Sequence, residues 1–434
     1  MKSFSFSRIR PLVIALAFIV LAGGIGYRLG EQHALPQLSG NSEKVVPKTV
    51  KNTPAPEEVS ADFAIFWDVW QKMFRYFIDA QKLDAQKMVY GAISGMVAAA
   101  GDPYTTFLPP KENKDFKQDI GGQFEGIGAQ LDLKDGKIIV TSPLKDSPAE
   151  AAGIKPQDYI MKVDGVDTTG WSIQEAVSKI RGPKGTTVTL TILHAGNREP
   201  VDIPVVRNTI MVPSVESWVK AAGDIVEIHS ATEAAELKKQ SDRIGYLKLS
   251  RFGDHTNEDW NKAVSYLLIE HRRNPLAGIV FDLRNNPGGY LDGSVYIASE
   301  FISSGTIVSQ KNSDGTVQSL QVNRKGRLTD IPLVVLINKG SASAAEIVSG
   351  ALKDYKRATI VGERSFGKGS VQTPYELAQG ASVHITTGKW VLPNGDSISE
   401  KGITPDIAVQ YDYADPNADT QLAKAIEVLL RNAL

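Results

Sequence analysis

Residues 333–343, LVVLINKGSAS, run from five consecutive apolar side chains straight into a turn of glycine, serine and alanine. A continuous apolar run of that length reads as a buried strand, and the pattern AAEIVSGALKDY behind it as a helix. RATIVGE then makes another strand. Upstream, IGYLKLSRF, a helix from Thr256 to Arg272, the buried strand LAGIVFDLR and a helix from Ser294 to Ser304 repeat the alternation. Strands alternating with helices predict an α/β core, a mixed sheet with flanking helices, whose ligands sit beyond the carboxyl ends of the strands. NNPGGYLDG and GSASAAE both fall at such ends.

Composition limits the chemistry open to those ends. With no cysteine in 434 residues, thiol nucleophiles, thiolate-bound zinc and disulfides are excluded. A formal net charge of −1 gives no general pull toward nucleic acid. No HExxH or clustered acidic pattern is present, so neither a metal nor a cofactor is expected.

What remains is a hydroxyl, an amine and a carboxamide. Ser343 lies at the entry to a helix, where its hydroxyl and the N–H of Ala344 face the positive end of the dipole. Ser341 is the better cap candidate and Ser343 the better nucleophile, but an N-cap role for Ser343 stays open, since the sequence alone does not order the two. A serine attacks only if a base takes its proton, and a lysine serves when burial lowers its pKa. Lys368, in FGKGSVQ, sits between two glycines with no carboxylate nearer in sequence than Glu363. Gln372 is four residues on and, in a strand, would share a side with Lys368. The N–H groups at Gly288 and Gly289, free of side chains, offer an oxyanion site together with Ala344.

Two rival constellations are weaker. GERSFGK, residues 362–368, matches phosphate-loop spacing, but Gly369 stands where Ser or Thr is needed and VQTPYEL reads as β rather than helix. A Ser–His–Asp triad has six histidines to draw on, His33, His194, His229, His255, His271 and His384. Only His384, in the strand-like SVHITTG, is a plausible partner.

The N-terminal part of the chain concerns location and recognition. Lys2, Arg8 and Arg10 precede an uncharged run at 11–27 that ends at Arg28. Its length is at the short end of the roughly 17–25 residues that cross a bilayer as a helix. Residues 1–30 are read as a membrane anchor with a cytoplasmic N-terminus, a cleaved signal peptide being the rival. Either places the rest outside the cytoplasm. Residues 31–60 read as a flexible linker. Residues 61–118 form an N-terminal helical region, with Phe63, Phe66, Trp67, Trp70, Phe74 and Phe77 at helical spacing and a second helix from Asp84 to Ala100. From 119 to 206 short β-like runs broken by Gly and Asp describe a small β-rich domain inserted ahead of the core at 207–434. Its FEGIG run, Phe124, Glu125, Gly126, Ile127 and Gly128, offers glycine-flanked N–H groups to a carboxylate. A helix from Asp419 to Leu430 could pack internally or pair with a second copy, as could the aromatic N-terminal helix, which leaves homo-oligomerisation open.

DSPAEAAGIKPQDYIMKVDGVDT and SIQEAVSKIRGPKGT resemble a PDZ domain of the bacterial type, which captures peptide C-termini. Gln157 departs from it, standing where a glycine is usual. GDPYTTFL, FEGIG, FDLRNNPGGYLDGSV, INKGSASAAEIVSGAL, VGERSFGKGSVQ and GITPD, in that order, resemble the carboxyl-terminal processing proteases, tail-specific peptidases of the Ser–Lys type. The resemblance runs from about residue 61 to the end. It implies a serine endopeptidase acting on protein tails, with Ser343 as nucleophile, Lys368 as general base, Gln372 as its orienting partner, and Gly288 or Gly289 with Ala344 as oxyanion hole. It also implies a gating role for Arg181 and protein C-terminal tails as partners. The alternative is a non-catalytic PDZ adaptor on a protease-like fold. The charged link at 223–243 is longer than the resemblance leads one to expect.

Overall fold

The structure, a computed structural model, describes residues 61–225, 242–411 and 419–432. The expected anchor at 1–30, the linker at 31–60 and most of the charged link at 223–243 lie outside these residues. Among the described residues no helix is long and apolar enough to cross a membrane.

The chain divides into two compact units, residues 1–89 and 90–434. In the first, α1 (Ala64–Tyr76) lines up Phe66, Trp67, Trp70 and Phe74 with neighbouring ring centroids 5.0 to 6.2 Å apart. Helix α2 (Ala85–Ala98) follows and runs on into the second unit.

There, β1 (Thr106–Leu108), α3 (Pro110–Gly121) and β2 (Gln123–Gly126) lead into an antiparallel sheet. Its strands are β3 (Ala129–Lys134), β4 (Lys137–Pro143), β5 (Tyr159–Val163), β6 (Val166–Asp167), β7 (Thr187–Leu193) and β8 (Val201–Val206), in the order β3-β4-β5-β7-β8 with β6 beside β5. Ile138, Val140, Ile160, Val188, Leu190 and Ile192 form its core with α4 (Pro148–Ala151) and α5 (Ile173–Ile180). Each helix starts at a serine, Ser147 or Ser172, whose hydroxyl accepts the N–H of a glutamate three residues on. β9 (Asn208–Met211) then pairs with β2, so the chain enters and leaves this domain through one two-stranded ribbon.

The core follows in chain order: β10 (Val215–Ala221), α6 (Ala222–Ile225), β11 (Arg243–Leu249), α7 (Thr256–Arg273), β12 (Leu276–Asp282), α8 (Leu291–Ala298), β13 (Thr306–Asn312), β14 (Val317–Gln321), β15 (Leu333–Ile337), α9 (Ala344–Asp354), β16 (Thr359–Gly362), β17 (Ser370–Glu376), β18 (Ser382–Val391), β19 (Ile407–Ala408) and α10 (Thr420–Asn432). The central sheet has the order β10-β11-β12-β15-β16-β19, and only its β10–β11 pair is antiparallel. Helices α7, α8 and α9 cover one face, joining Leu247, Phe281, Val335 and Ile337 in one cluster. On the other face Ile426 and Leu429 of α10 pack against Val280, Val334 and Val361, so this helix is used internally. All five residues of β15 are buried, as an apolar run with no polar face requires.

One local expectation changes. The helix expected over 294–304 runs from Leu291 to Ala298, after which the Ser299 hydroxyl donates back to the Val295 carbonyl. The β13–β14 hairpin has only a weak apolar signal in its second strand. It joins β18, β1 and β17 in a second sheet.

Candidate active site

Strands β12, β15 and β16 are parallel neighbours, so the loops at their carboxyl ends meet. The first carries Asn286–Gly289, the second Ser341–Ala344 and the third Lys368. Ala342 donates its N–H to the Asn286 carbonyl at 2.9 Å, and Phe366 donates its N–H to the Ser341 carbonyl at 2.9 Å. Gly288 lies so close to the serine turn that a Cβ there would come within 2.8 Å of Ser343 Cβ.

Ser343 occupies the N-cap position of α9 with φ 53° and ψ −117°, a conformation that suits glycine and strains a serine. Ser341, expected as the cap, is instead fully buried. Its hydroxyl donates to the Leu283 carbonyl at 2.8 Å and accepts the Asn338 N–H at 3.0 Å, which ties the ends of β12 and β15 together. Of the two serines, only Ser343 is partly open to solvent.

One buried side chain organises the three loops. Oε2 of Glu346 accepts the N–H of Ser343 at 2.8 Å and that of Lys368 at 2.9 Å. Oε1 accepts the Ser365 hydroxyl at 2.6 Å and the Gly367 N–H at 2.7 Å. Burial pushes the Glu346 carboxyl up, while these four hydrogen bonds pull the other way. No role for Glu346 is apparent from residue type alone. The signal that could have found it is the Ser-x-x-Glu spacing from Ser343, in which the glutamate reaches back to the cap N–H.

The Lys368 amine lies 5.4 Å from the centroid of the Tyr104 ring. Burial lowers its pKa from the ordinary lysine value, and the charge of Glu346 opposes that shift only in part. Strand β17 begins at Ser370, beyond Lys368, and the β17–β18 register shifts between Val371 and Gln372. Strand alternation therefore does not relate Lys368 to Gln372. The Gln372 amide donates to the hydroxyls of Ser370 (2.8 Å) and Thr386 (3.3 Å), which leaves its carbonyl oxygen as the acceptor for an amine. The glycines flanking Lys368 have a packing reason: a Cβ on Gly369 would come within 2.2 Å of Ser399 N.

Of the expected oxyanion donors, Gly288 and Gly289 are alternatives, and Gly288 is the one with a partner in the fold. Its N–H donates to Asn286 Oδ1 at 2.8 Å, so that donor is committed within the loop. Among the described residues the N–H groups of Gly289 and Ala344 have no acceptor in the fold. Gly289 could be no other residue, because a Cβ would come within 2.0 Å of the Phe252 carbonyl oxygen. The weaker constellations gain nothing. GERSFGK runs into strand β17, and His384 packs edge-on against Phe116 with ring centroids 4.8 Å apart, burial pushing its imidazole down.

In the β-rich domain, Phe124–Gly126 lie in β2 and pair with β9, and the Glu125 carbonyl accepts the Gly182 N–H. Part of the FEGIG backbone is thereby occupied, and the turn into β3 is made by Ile127 and Gly128. β3 is an edge strand, and α5 shares the domain core with its Ala129 and Leu131. That edge can accept an added strand. The Arg181 guanidinium lies 4.5 Å from the Phe124 ring centroid at the same end.

The PDZ domain family matches residues 116–193, and peptidase family S41 matches residues 243–409. The chain is 38% identical over 348 residues to the carboxy-terminal-processing protease of Bartonella bacilliformis, covering 80% of this chain and 75% of that one. It is 36% identical over 356 residues to the carboxy-terminal processing protease CtpB of Bacillus subtilis, covering 81% and 69%. A solved S41 protease structure from Bacteroides fragilis is 17% identical, covers 87% of this chain and all of that one, and has a TM-score of 0.53, which supports the fold alone. With a PDZ domain ahead of an S41 core and this identity along most of its length, the chain belongs to the carboxy-terminal processing proteases and is a serine peptidase.

Proposed function

We propose that this peptidase cleaves proteins near their C-terminal tails. A tail adds as a strand along β3, with its carboxylate at the Ile127–Gly128 turn, and Arg181 stacked on Phe124 marks that end of the groove. Lys368, its pKa lowered by partial burial, takes the proton from the Ser343 hydroxyl as it attacks the scissile carbonyl. The oxyanion is held by the N–H groups of Gly289 and Ala344, and the acyl-enzyme is then hydrolysed. Gln372 orients the amine through its carbonyl oxygen without restoring its charge. The globular part works outside the cytoplasm, consistent with the basic-flanked apolar run at 11–27.

One observation carries the chemistry: the backbone N–H groups of Ser343 and Lys368 end on a single oxygen of Glu346. Two backbone groups held on one buried atom limit how far the loops carrying the nucleophile and the base can separate. Peptide cleavage by Ser343→Ala and Lys368→Ala variants tests it, each expected to lose roughly three orders of magnitude or more. Undiminished turnover in Lys368→Ala rejects the dyad. Amidating the C-terminus of the test peptide should weaken its capture; equal cleavage of both forms rejects recognition of the tail carboxylate.

A further inference from the structure

We propose that Tyr104 is a positioning residue for Lys368, its ring the wall that shields the amine from water. This rests on Lys368 being the base, as argued above. The ring centroid is 5.4 Å from Nζ, and the ring is carried by a turn that is unusually well tied for a loop. The Asp102 carboxylate accepts the N–H of Tyr104 at 3.3 Å, the N–H of Thr105 at 3.0 Å and the Thr105 hydroxyl at 2.6 Å. Burial disfavours the Asp102 charge, but hydrogen bonds from Thr105 and Thr386 outweigh it and hold the carboxyl below its ordinary range. Thr105 Oγ1 in turn accepts the N–H of Thr386, whose own Oγ1 accepts from the Gln372 amide. The turn that carries the ring is thus bonded to the strand that holds Gln372.

Other groups act on Lys368 from each side. Glu346 on α9 favours its charge, and His384 on β18 senses that charge. The Tyr104 phenol and Asp102 belong to the turn. The ring itself has two opposed effects. Its face attracts an ammonium, while its bulk excludes the water that would solvate one. Hydration of a primary ammonium exceeds what one ring face returns, so exclusion prevails and the amine is kept neutral at lower pH.

The test is the pH dependence of Ser343 phosphonylation by a fluorophosphonate probe, which forms an O–P bond and releases fluoride, together with kcat/KM for a peptide, in the full chain. Tyr104→Ala should move the acid limb of both profiles to higher pH, by about one unit. Tyr104→Phe, which keeps the ring, should return the limb to its wild-type position. A limb that stays in place in Tyr104→Ala, even with a lower rate, overturns the proposal. Lys368→Ala is run alongside. If it is phosphonylated normally, the base assignment fails and this inference with it; if it is silent while the Tyr104→Ala limb does not move, this inference alone fails. Should Tyr104→Ala not fold, as judged by thermal denaturation, Tyr104→Gln replaces it with the same shift expected and the same overturning result.

Discussion

Ser343 and Lys368, which follow different strands, donate their backbone N–H groups to the same atom, Oε2 of Glu346, at 2.8 and 2.9 Å. With Ser365 and Gly367 on Oε1, this carboxylate is an acceptor four times over and a donor never. Glutamine is nearly the same shape but carries an NH2 that can only donate. Whichever way the amide lies in Glu346→Gln, that NH2 faces two donors. The expected cost is about 2–4 kcal/mol of stability, from donors left without an acceptor in a buried site. Cleavage should fall by at least about tenfold as the loops separate. Thermal denaturation and kcat/KM check this, and wild-type values for both would show that the carboxylate does not hold the loops.

Gln157 makes a second prediction, in the PDZ domain. Its φ is +70°, the left-handed region, with its N–H donating to the Val140 carbonyl at 2.8 Å. A side chain there costs roughly 1–2 kcal/mol, and glycine avoids it at the expense of about 0.5–1 kcal/mol in chain entropy. Gln157→Gly should therefore stabilise the domain slightly, by about 0.5 kcal/mol. A small rise in the melting temperature is the expected readout; a fall would mean that the glutamine side chain makes an offsetting contact.

Glu300 sets an acid limit on the core. It is fully buried, accepts the Trp260 indole N–H at 2.9 Å and pairs with Arg324 and Arg327. Burial alone would raise its pKa, but the hydrogen bonds from Arg327 and Arg324 outweigh it and bring the carboxyl from 4.5 to about 2. Because the folded value is the lower one, the stabilisation is present above pH 4.5 and is lost as pH falls toward about 2. The melting temperature of the wild type should decline through this window, and that of Glu300→Gln, less stable at neutral pH, should decline less. Parallel curves would place the acid sensitivity elsewhere.

The sheet and its loops were legible because each strand end announces itself. The buried LVVLI run stops at GSASAAE, and LAGIVFDLR stops at NNPGG. Contacts between distant segments were not. β2 pairs with β9, some 80 residues away, and no local pattern in FEGIG shows that Phe124–Gly126 will be in a ladder. The strand β14, VQSLQ, is largely exposed, and only Leu320 of its two apolar residues packs against the core, so its apolar signal is weak. Which serine caps α9 depended on the Leu283 carbonyl, which captures the Ser341 hydroxyl from another loop. The commitment of the Gly288 N–H to Asn286 is likewise a matter of loop geometry, since both residues stand in plain view in NNPGG.

Ser343 itself carries a cost that function explains. At φ 53° and ψ −117° it holds a conformation that only glycine adopts freely, and strain of this kind is worth of order 1–3 kcal/mol. The buried Glu346 bond and the close approach of Gly288 hold the backbone in this conformation at the head of α9. Ser343→Gly should relieve the strain while leaving the backbone bond to Glu346 in place, giving an inactive protein more stable than the wild type by about 1 kcal/mol. Ser343→Ala, equally inactive, keeps a Cβ and should show no such gain. The difference in melting temperature between the two variants isolates the backbone term, and equal values would mean that the serine turn is not strained in solution.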